Sequence, residues 1–186
     1  MTGKTSNETI LIVDDEASAR ATLEALLLVE GYNFIFAENA DKAIISLEKT
    51  LPDIILLDMM MPEMDGMELC HVIKRNKKWQ HIPIILVTAL DSKEDLKRGI
   101  QAGADDFLSK PVSGIELRAR VKSMLRIKAQ YDQLQKMMML REELANMVVH
   151  DMRSPLCTII GYSDFLRKNL VNERDLGDVD KIAKPI

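Results

Sequence analysis

Short apolar runs alternate with amphipathic stretches over the first two thirds of the chain. Between residues 9 and 128 the apolar runs read ILIV, NFIFA, DIILL, PIILVTA and DDFL. After each run, apolar residues recur every three or four positions, in residues 18–29, 40–49, 66–74, 92–102 and from 115 onward. Strands that alternate with helices in this way are typical of α/β folds with a parallel sheet. The pattern therefore predicts five strands and five helices in strict alternation.

Three of the apolar runs, ILIV, IILL and IILV, contain no alternating polar residues. Such runs are expected of strands that helices bury on both faces of a sheet. Glycine positions support the same division, because Gly31 and Gly103 follow predicted helices at points where a left-handed cap is favourable. We therefore expect a parallel sheet with helices on both faces.

The pattern changes after Ile115, because neither glycine nor proline occurs again before Pro155. This stretch predicts one long helix. Its apolar residues follow the three-four spacing of a coiled-coil seam, at Leu117, Val121, Met124, Ile127, Tyr131, Leu134 and Met138. A small domain cannot cover the whole stripe of so long a helix. We therefore expect residues 129–146 to form a coiled-coil linker in a parallel homodimer.

Composition excludes several classes of function. The net charge of -4 argues against a nucleic-acid partner, because phosphate neutralisation needs a concentrated basic face. No apolar run approaches the roughly 20 residues that cross a bilayer, so no membrane insertion is expected, and residues 1–8 predict a polar tail. Cys70 and Cys157 have neither zinc-ligand spacing nor the density of a disulfide scaffold, which favours a reducing cytoplasm.

Polar residues with related chemistry follow four of the predicted strands. Asp14 and Asp15 follow the first strand, Asp58 the third, Thr88 the fourth and Lys110 the fifth. Ligands of open parallel sheets bind at the carboxyl ends of the strands. Crowded carboxylates suit Mg²⁺, and an ionised carboxylate can attack phosphorus while a lysine and a hydroxyl neutralise the transferred group. The spacing predicts a phosphoryl-accepting Mg²⁺ site.

Two alternatives apply to these acids. Asp14 or Asp15 could instead cap the first helix, since aspartate is a favourable N-cap residue. The site could also belong to a Mg²⁺-dependent phosphohydrolase with an aspartate nucleophile. Such an enzyme needs a second acid two residues after the nucleophile, and Met60 stands there. The hydrolase is therefore disfavoured.

Residues 9–128 resemble the receiver domain of two-component response regulators through LIVDDE, LLDMMMPEMDGMEL, PIILVTA and GADDFLSKP. The resemblance implies a flavodoxin-like fold in which Asp58 accepts a phosphoryl group from the phosphohistidine of an upstream protein. It implies that Phe107 is the switch aromatic and that apolar side chains at Met60 and Leu90 tune the lifetime of the phosphate. Further implied roles are coordination of Mg²⁺ by Asp14, Asp15, Asp58 and the backbone carbonyl of Met60, and binding of the phosphoryl group by Thr88 and Lys110.

A histidine lies on the long helix away from its apolar stripe. At 100° per residue, one stripe contains Val148, Met152, Leu156, Ile159, Ser163 and Leu166. His150 falls about 160° from that stripe, beside Asp151, which could accept the imidazole proton. Pro155 lacks an N–H, so the helix should bend there rather than stop, since the stripe continues in phase.

The stretch HDMRSPL resembles the phosphoacceptor segment of the dimerisation domain of sensor histidine kinases. The resemblance implies that His150 accepts a phosphoryl group with Asp151 as its acid-base neighbour, within a partial helical hairpin over residues 147–186. Ser154 stands where the family often has the Thr or Asn that supports phosphatase activity. The sequence up to Ile186 contains no motif of an ATP-binding domain, so autophosphorylation by the chain alone is not expected.

Together these resemblances predict part of a hybrid histidine kinase, an ATP-dependent protein-histidine phosphotransferase. The receiver would be coupled through a continuous helix to the dimeric segment that carries His150, and a second receiver could accept its phosphoryl group. The alternative is a module whose phosphorylation controls dimerisation without kinase output.

Overall fold

Five short strands form one parallel sheet, as predicted. They are β1 (Thr9–Val13), β2 (Asn33–Ala37), β3 (Ile54–Asp58), β4 (Ile84–Thr88) and β5 (Asp106–Ser109), in the order β2-β1-β3-β4-β5. This order is that of flavodoxin-like folds, whose ligand sites lie where the strand order reverses. The computed structural model describes the backbone of residues 8–89 and 93–182, and the side chains of these ranges except 93–96 and 166–182. Residues 1–7 of the expected polar tail lie outside these ranges.

Five α-helices follow the strands: α1 (Ala17–Leu27), α2 (Ala40–Lys49), α3 (Gly66–Arg75), α4 (Lys93–Ala102) and α5 (Gly114–Ile182). A short 3₁₀ turn, Leu28–Glu30, extends α1. Gly31 and Gly103 adopt φ angles of 77° and 96°, which confirms the predicted left-handed caps after α1 and α4.

Helices pack on both faces of the sheet, and alternate residues of each strand point to opposite sides. On β1, Leu11 and Val13 join one apolar cluster with α2 and α3, whereas Ile10 and Ile12 join the other with α1 and α5. All four are fully buried. Each such side chain contributes about 1.5–3 kcal/mol by its removal from water, so these runs hold the strand ends in fixed positions.

The start of α3 packs directly under the end of β3. Asp65 caps the helix by accepting a hydrogen bond from the Glu68 N–H at 2.8 Å, and the Glu68 side chain accepts one from the Asp65 N–H at 3.3 Å. A Cβ atom on Gly66 would lie 2.1 Å from the backbone oxygen of Asp58. The glycine therefore allows the closest approach of α3 to the residue at the end of β3.

The first turns of α5 belong to the sheet core. Leu117 and Val121, which the spacing placed in a coiled-coil seam, are fully buried in the cluster that contains Ile10 and Ile12. The seam prediction is wrong for these two residues. The last helix of an α/β sheet and a coiled coil share the three-four spacing, so spacing alone does not separate them.

Beyond the core, α5 continues through Pro155 to Ile182. This agrees with the in-phase stripe, and the bend at Pro155 stays a prediction. The expected hairpin is not confirmed, because the described backbone has no turn between Gly114 and Ile182. The chain divides into two compact units between Gln133 and Leu134. Over the part of the chain described, no helix has the length and apolar character that crossing a bilayer requires.

Candidate functional site

Three carboxylates meet at the carboxyl edge of the sheet. Asp14 and Asp15 follow β1, and Asp58 is the last residue of β3, the strand that pairs with β1. Each residue offers a carboxylate oxygen within 4.8 Å of the other two. Asp14 and Asp58 are 1% and 4% exposed, whereas Asp15 is open to solvent. The sequence prediction that these acids lie together is confirmed.

Lys110 joins two of these acids. Its Nζ lies 2.6 Å from Oδ1 of Asp58 and 3.2 Å from Oδ2 of Asp14. The backbone N–H of Lys110 donates to the carbonyl of Thr88 at 2.7 Å, and the Lys110–Pro111 peptide bond is cis. The side chain thus reaches the acids from the end of β5, which lies two strands away from β3.

Burial governs the ionisation of the site. Burial raises the pKa of the Asp58 carboxyl, the hydrogen bond from Lys110 acts against this, and the charge of Asp14 raises the pKa further. For Lys110, burial acts to lower the pKa, but hydrogen bonds and attraction from Asp58 and Asp14 outweigh it, so the net shift is upward. The Lys110 ammonium therefore stays charged, whereas the surroundings of Asp58 disfavour the ionised form of its carboxyl.

Backbone groups hold the carboxylates in place. The Met60 N–H donates to Oδ2 of Asp58 at 3.1 Å, and the Glu16 N–H donates to Oδ1 of Asp14 at 2.9 Å. The Arg20 guanidinium donates to the backbone carbonyl of Asp14 at 2.5 Å. The sequence analysis missed Arg20, because a single basic residue in the first helix does not indicate a contact with the site.

The capping alternative for the two acids after β1 is wrong. The N-cap of α1 is Glu16, and no side chain forms a cap hydrogen bond there. The Asp14 carboxylate faces Lys110 instead. The acids are therefore available for a ligand.

The donor set fits Mg²⁺. Three carboxylates and one ammonium leave two negative charges uncompensated when all are ionised. Hard carboxylate oxygens are the ligands that Mg²⁺ prefers, and the exposed Asp15 leaves an open side for water and a phosphoryl group.

Thr88 and Phe107 lie on the two strands beyond the carboxylates. Thr88 ends β4, is 6% exposed and pairs in register with Ser109 of β5. Phe107 packs partly buried against the apolar cluster of α2 and α3. Sequence reasoning missed Gly99 on α4, where a Cβ atom would lie 2.4 Å from the Phe107 ring. Leu90 lies outside the described residues.

The predicted histidine site has a different character. The His150 side chain is 83% exposed, and its Nδ1 lies 3.4 Å from Oδ1 of Asp151, which is 74% exposed. That distance exceeds the usual range of a hydrogen bond. The structure therefore places the two residues side by side on α5 without a strong contact.

The fold and the acidic edge define an α/β domain whose site is built to hold a divalent cation and a phosphoryl group. Residues 10–122, more than half of the chain, match the response regulator receiver domain. The chain belongs to the response regulator receiver family. Its matched part is a receiver of two-component phosphorelays, a class in which an aspartate accepts the phosphoryl group and Mg²⁺ binds in the acidic pocket.

Similar proteins and structures cover the same part of the chain. Response regulator PleD of Caulobacter vibrioides is 46% identical over 67% of this chain and 28% of its own length. A probable transcriptional regulator, ycf27, of Porphyra purpurea is 44% identical over 64% of this chain and 48% of its own length. The chain thus spans less than half of either relative.

Solved structures agree. A putative response regulator from Chloroflexus aurantiacus superposes with a TM-score of 0.63 at 34% identity and covers 65% of this chain and 99% of its own. The signal receiver domain of a signal transduction histidine kinase from Syntrophus aciditrophicus gives 0.61 at 38% identity, covering 64% and 90% respectively. These matches concern the receiver part alone.

Proposed function

We propose that Asp58 accepts a phosphoryl group from a phosphohistidine on an upstream donor protein. The observation that carries this proposal is the position of the Lys110 ammonium, 2.6 Å from Asp58 and beside two further carboxylates. Among the acids of the cluster, Asp58 ends the central strand β3, and its carboxylate lies nearest the ammonium, at 2.6 Å against 3.2 Å for Asp14. It is therefore the carboxylate best held for attack.

The transfer is a displacement at phosphorus. Oδ of Asp58 forms a bond to phosphorus as the P–N bond of the phosphohistidine breaks. The electron pair of that bond goes to the imidazole nitrogen, which takes up a proton. Lys110 and the Thr88 hydroxyl would bind oxygens of the phosphoryl group and stabilise the charge on them.

Asp14, Asp15, Asp58 and the backbone carbonyl of Met60 would hold Mg²⁺. When bound, the ion neutralises charge on the carboxylates and on the phosphoryl oxygens. The exposed apolar side chain of Met60 offers no group to position water, so we expect a long-lived Asp58 phosphate. A half-life of seconds at neutral pH would contradict this expectation.

We further propose that Phe107 and α5 carry the signal from the receiver to His150. The continuous helix supports this coupling, as does the similar receiver that belongs to a histidine kinase. His150 would accept a phosphoryl group from ATP through a kinase ATP-binding domain, with Asp151 taking its proton. A second receiver could accept it next. Because ATP supplies the relay, we expect the protein to work in the cytoplasm.

A homodimer through α5 is the proposed assembly. Between Leu134 and Phe165 many large apolar side chains are half or more exposed, among them Leu134, Met138, Leu144, Val148, Met152, Leu156 and Ile159. A second copy would cover this stripe. The same observation supports a second candidate function, a module in which Asp58 phosphorylation controls dimerisation without kinase output.

Two labelling experiments test these proposals. A phosphorylated histidine donor domain, supplied with Mg²⁺, is expected to label the chain but not the Asp58→Asn variant. A histidine-kinase ATP-binding domain with labelled ATP is expected to label the chain but not the His150→Gln variant. Label in the first experiment alone supports the dimerisation module, and label in neither contradicts both functions.

A further inference from the structure

An aromatic contact joins α5 to the connection before β4. The rings of His81 and Tyr131 lie 5.6 Å apart between centroids and within 8° of parallel. His81 stands in the segment between α3 and β4, and Tyr131 lies almost five turns into α5. Fifty residues of sequence separate the two rings, so this is a tertiary contact. It joins α5 to the receiver well beyond the first turns of the helix.

An ion pair accompanies the stacked rings. Lys128, one turn before Tyr131, places its Nζ 2.7 Å and 2.5 Å from the two carboxylate oxygens of Asp132. Lys128 is only 9% exposed, which is unusual for lysine. Asp132 thus neutralises the ammonium of a side chain that is almost wholly removed from water.

Burial along α5 changes at this point. Leu117 and Val121 are fully buried and Leu125 is 7% exposed, whereas the large apolar residues between Leu134 and Phe165 are half or more exposed. The division of the chain into two units falls between Gln133 and Leu134. The family match ends at residue 122, before the rings meet. The contact therefore lies where this chain extends beyond the common receiver.

We infer that His81, Lys128, Tyr131 and Asp132 form a clasp that holds residues 123–133 of α5 on the receiver. The clasp moves the point at which the helix leaves the receiver to Gln133. The clasp would then determine at which residue of α5 a conformational change in the receiver reaches the rest of the helix. This last consequence rests on the proposed function, whereas the docking of residues 123–133 does not.

Hydrogen exchange of the full chain, read by mass spectrometry, tests the docking. Stacked aromatic pairs stabilise by about 0.5–1.5 kcal/mol, so Tyr131→Ala should speed exchange of amides 123–133 by roughly two- to tenfold. Tyr162→Ala removes an exposed tyrosine from the same helix and should change nothing there. Tyr131→Phe keeps the ring and should behave as the unaltered chain does.

The partner ring supplies the decisive comparison. His81→Ala should speed the same amides, and the double variant should exceed neither single variant, since both changes remove one interaction. Additive effects, unchanged exchange in Tyr131→Ala, or equal acceleration in the strand amides of β1 and β3 would each overturn the clasp.

A second hydrogen-exchange measurement tests whether the clasp couples Asp58 phosphorylation to the rest of α5. If the clasp fixes the exit of the helix, phosphorylation should change the exchange of residues 134–165 in the unaltered chain, and Tyr131→Ala should abolish that change while Asp58 is still labelled. A change that persists in Tyr131→Ala overturns the role in coupling. Failure to label Asp58 contradicts the proposed function and leaves the docking result standing on its own measurement.

Discussion

The two proposed phosphoacceptors of this chain stand in opposite surroundings. The Asp58 side chain is 5% exposed and contacts an ammonium at 2.6 Å, whereas the His150 side chain is 83% exposed and lies 3.4 Å from its neighbour. One site is assembled within its own unit. The other is an exposed imidazole, which in the proposed function would need groups from another domain or protein.

Topology explains this difference. Parallel strands bring their carboxyl ends to one edge, so residues far apart in sequence converge on Asp58. On a helix, a side chain can reach only residues close to it in sequence, chiefly those three or four positions away. For His150 these neighbours include Arg153 and Ser154, on the same exposed surface. A preorganised site can stabilise charge at once, whereas a site on an exposed helix would gain such surroundings only when a partner binds.

The largest expected effect is the loss of the acceptor itself. Asp58→Asn should reduce labelling by a phosphohistidine donor to background, because the amide is not a nucleophile. Asp41→Asn, a change at an exposed aspartate in the first turn of α2, should leave labelling unaltered. If Asp58→Asn were labelled at the normal rate, the assembled site would not be the acceptor.

Removal of the ammonium tests how far preorganisation matters. Lys110→Ala should slow phosphorylation of Asp58 by about 10²- to 10³-fold, the usual cost of one well-placed charge-stabilising donor. The acid limb of the rate profile should move to higher pH, because the hydrogen bond from Lys110 lowers the pKa of Asp58. Lys42→Ala breaks an exposed surface ion pair with Glu38 and should do neither. If Asp58 were phosphorylated as fast in Lys110→Ala as in Lys42→Ala, the preorganised ammonium would make no contribution, and the proposed difference between the two sites would be wrong.

The histidine site should depend less on its own neighbour. Asp151→Asn is expected to slow labelling of His150 by a kinase ATP-binding domain by about 10²-fold, a typical contribution of general base catalysis. Asp164→Asn, at another exposed aspartate of α5, is the matched control. A loss as complete as that in His150→Gln would show that Asp151 does more than accept a proton.

The assembled site should also have a cost in stability. Without Mg²⁺ at neutral pH, Asp58→Asn should raise the free energy of unfolding by about 1 kcal/mol, because it removes a buried charge. Since folding raises the pKa of Asp58, the penalty is absent at low pH and grows as the pH rises through the folded pKa. Denaturant unfolding of both proteins at several pH values measures this penalty. If Asp58→Asn were still more stable than the unaltered chain well below pH 3.8, the buried charge would not be the cause.

Sequence alone predicted where Asp14 and Asp58 lie because both stand at the ends of apolar runs that are buried on both faces. Asp14, Asp58 and Lys110 needed only the alternation of strands and helices to be placed at one edge. The sequence could not show whether Leu117 packs on the sheet or in a coiled coil, because helices of both kinds have the same three-four spacing of apolar residues. Tertiary contacts between ordinary residue types, such as His81 with Tyr131, leave no periodic signal.

The smallest expected effect concerns the clasp and its pH dependence. Burial lowers the pKa of His81 below the 6.5 of an unperturbed imidazole, and the cations Lys128 and Lys74 lower it further while Asp132 raises it. The docked state therefore binds fewer protons than the undocked one, so docking is complete above pH 6.5 and weakens as the pH falls below it. After correction for intrinsic rates, exchange of amides 123–133 should rise on acidification, by less than removal of the Tyr131 ring causes. His81→Phe keeps an aromatic ring that does not titrate, so its docking should not change with pH. The same acid response in both proteins would assign the effect to groups other than His81.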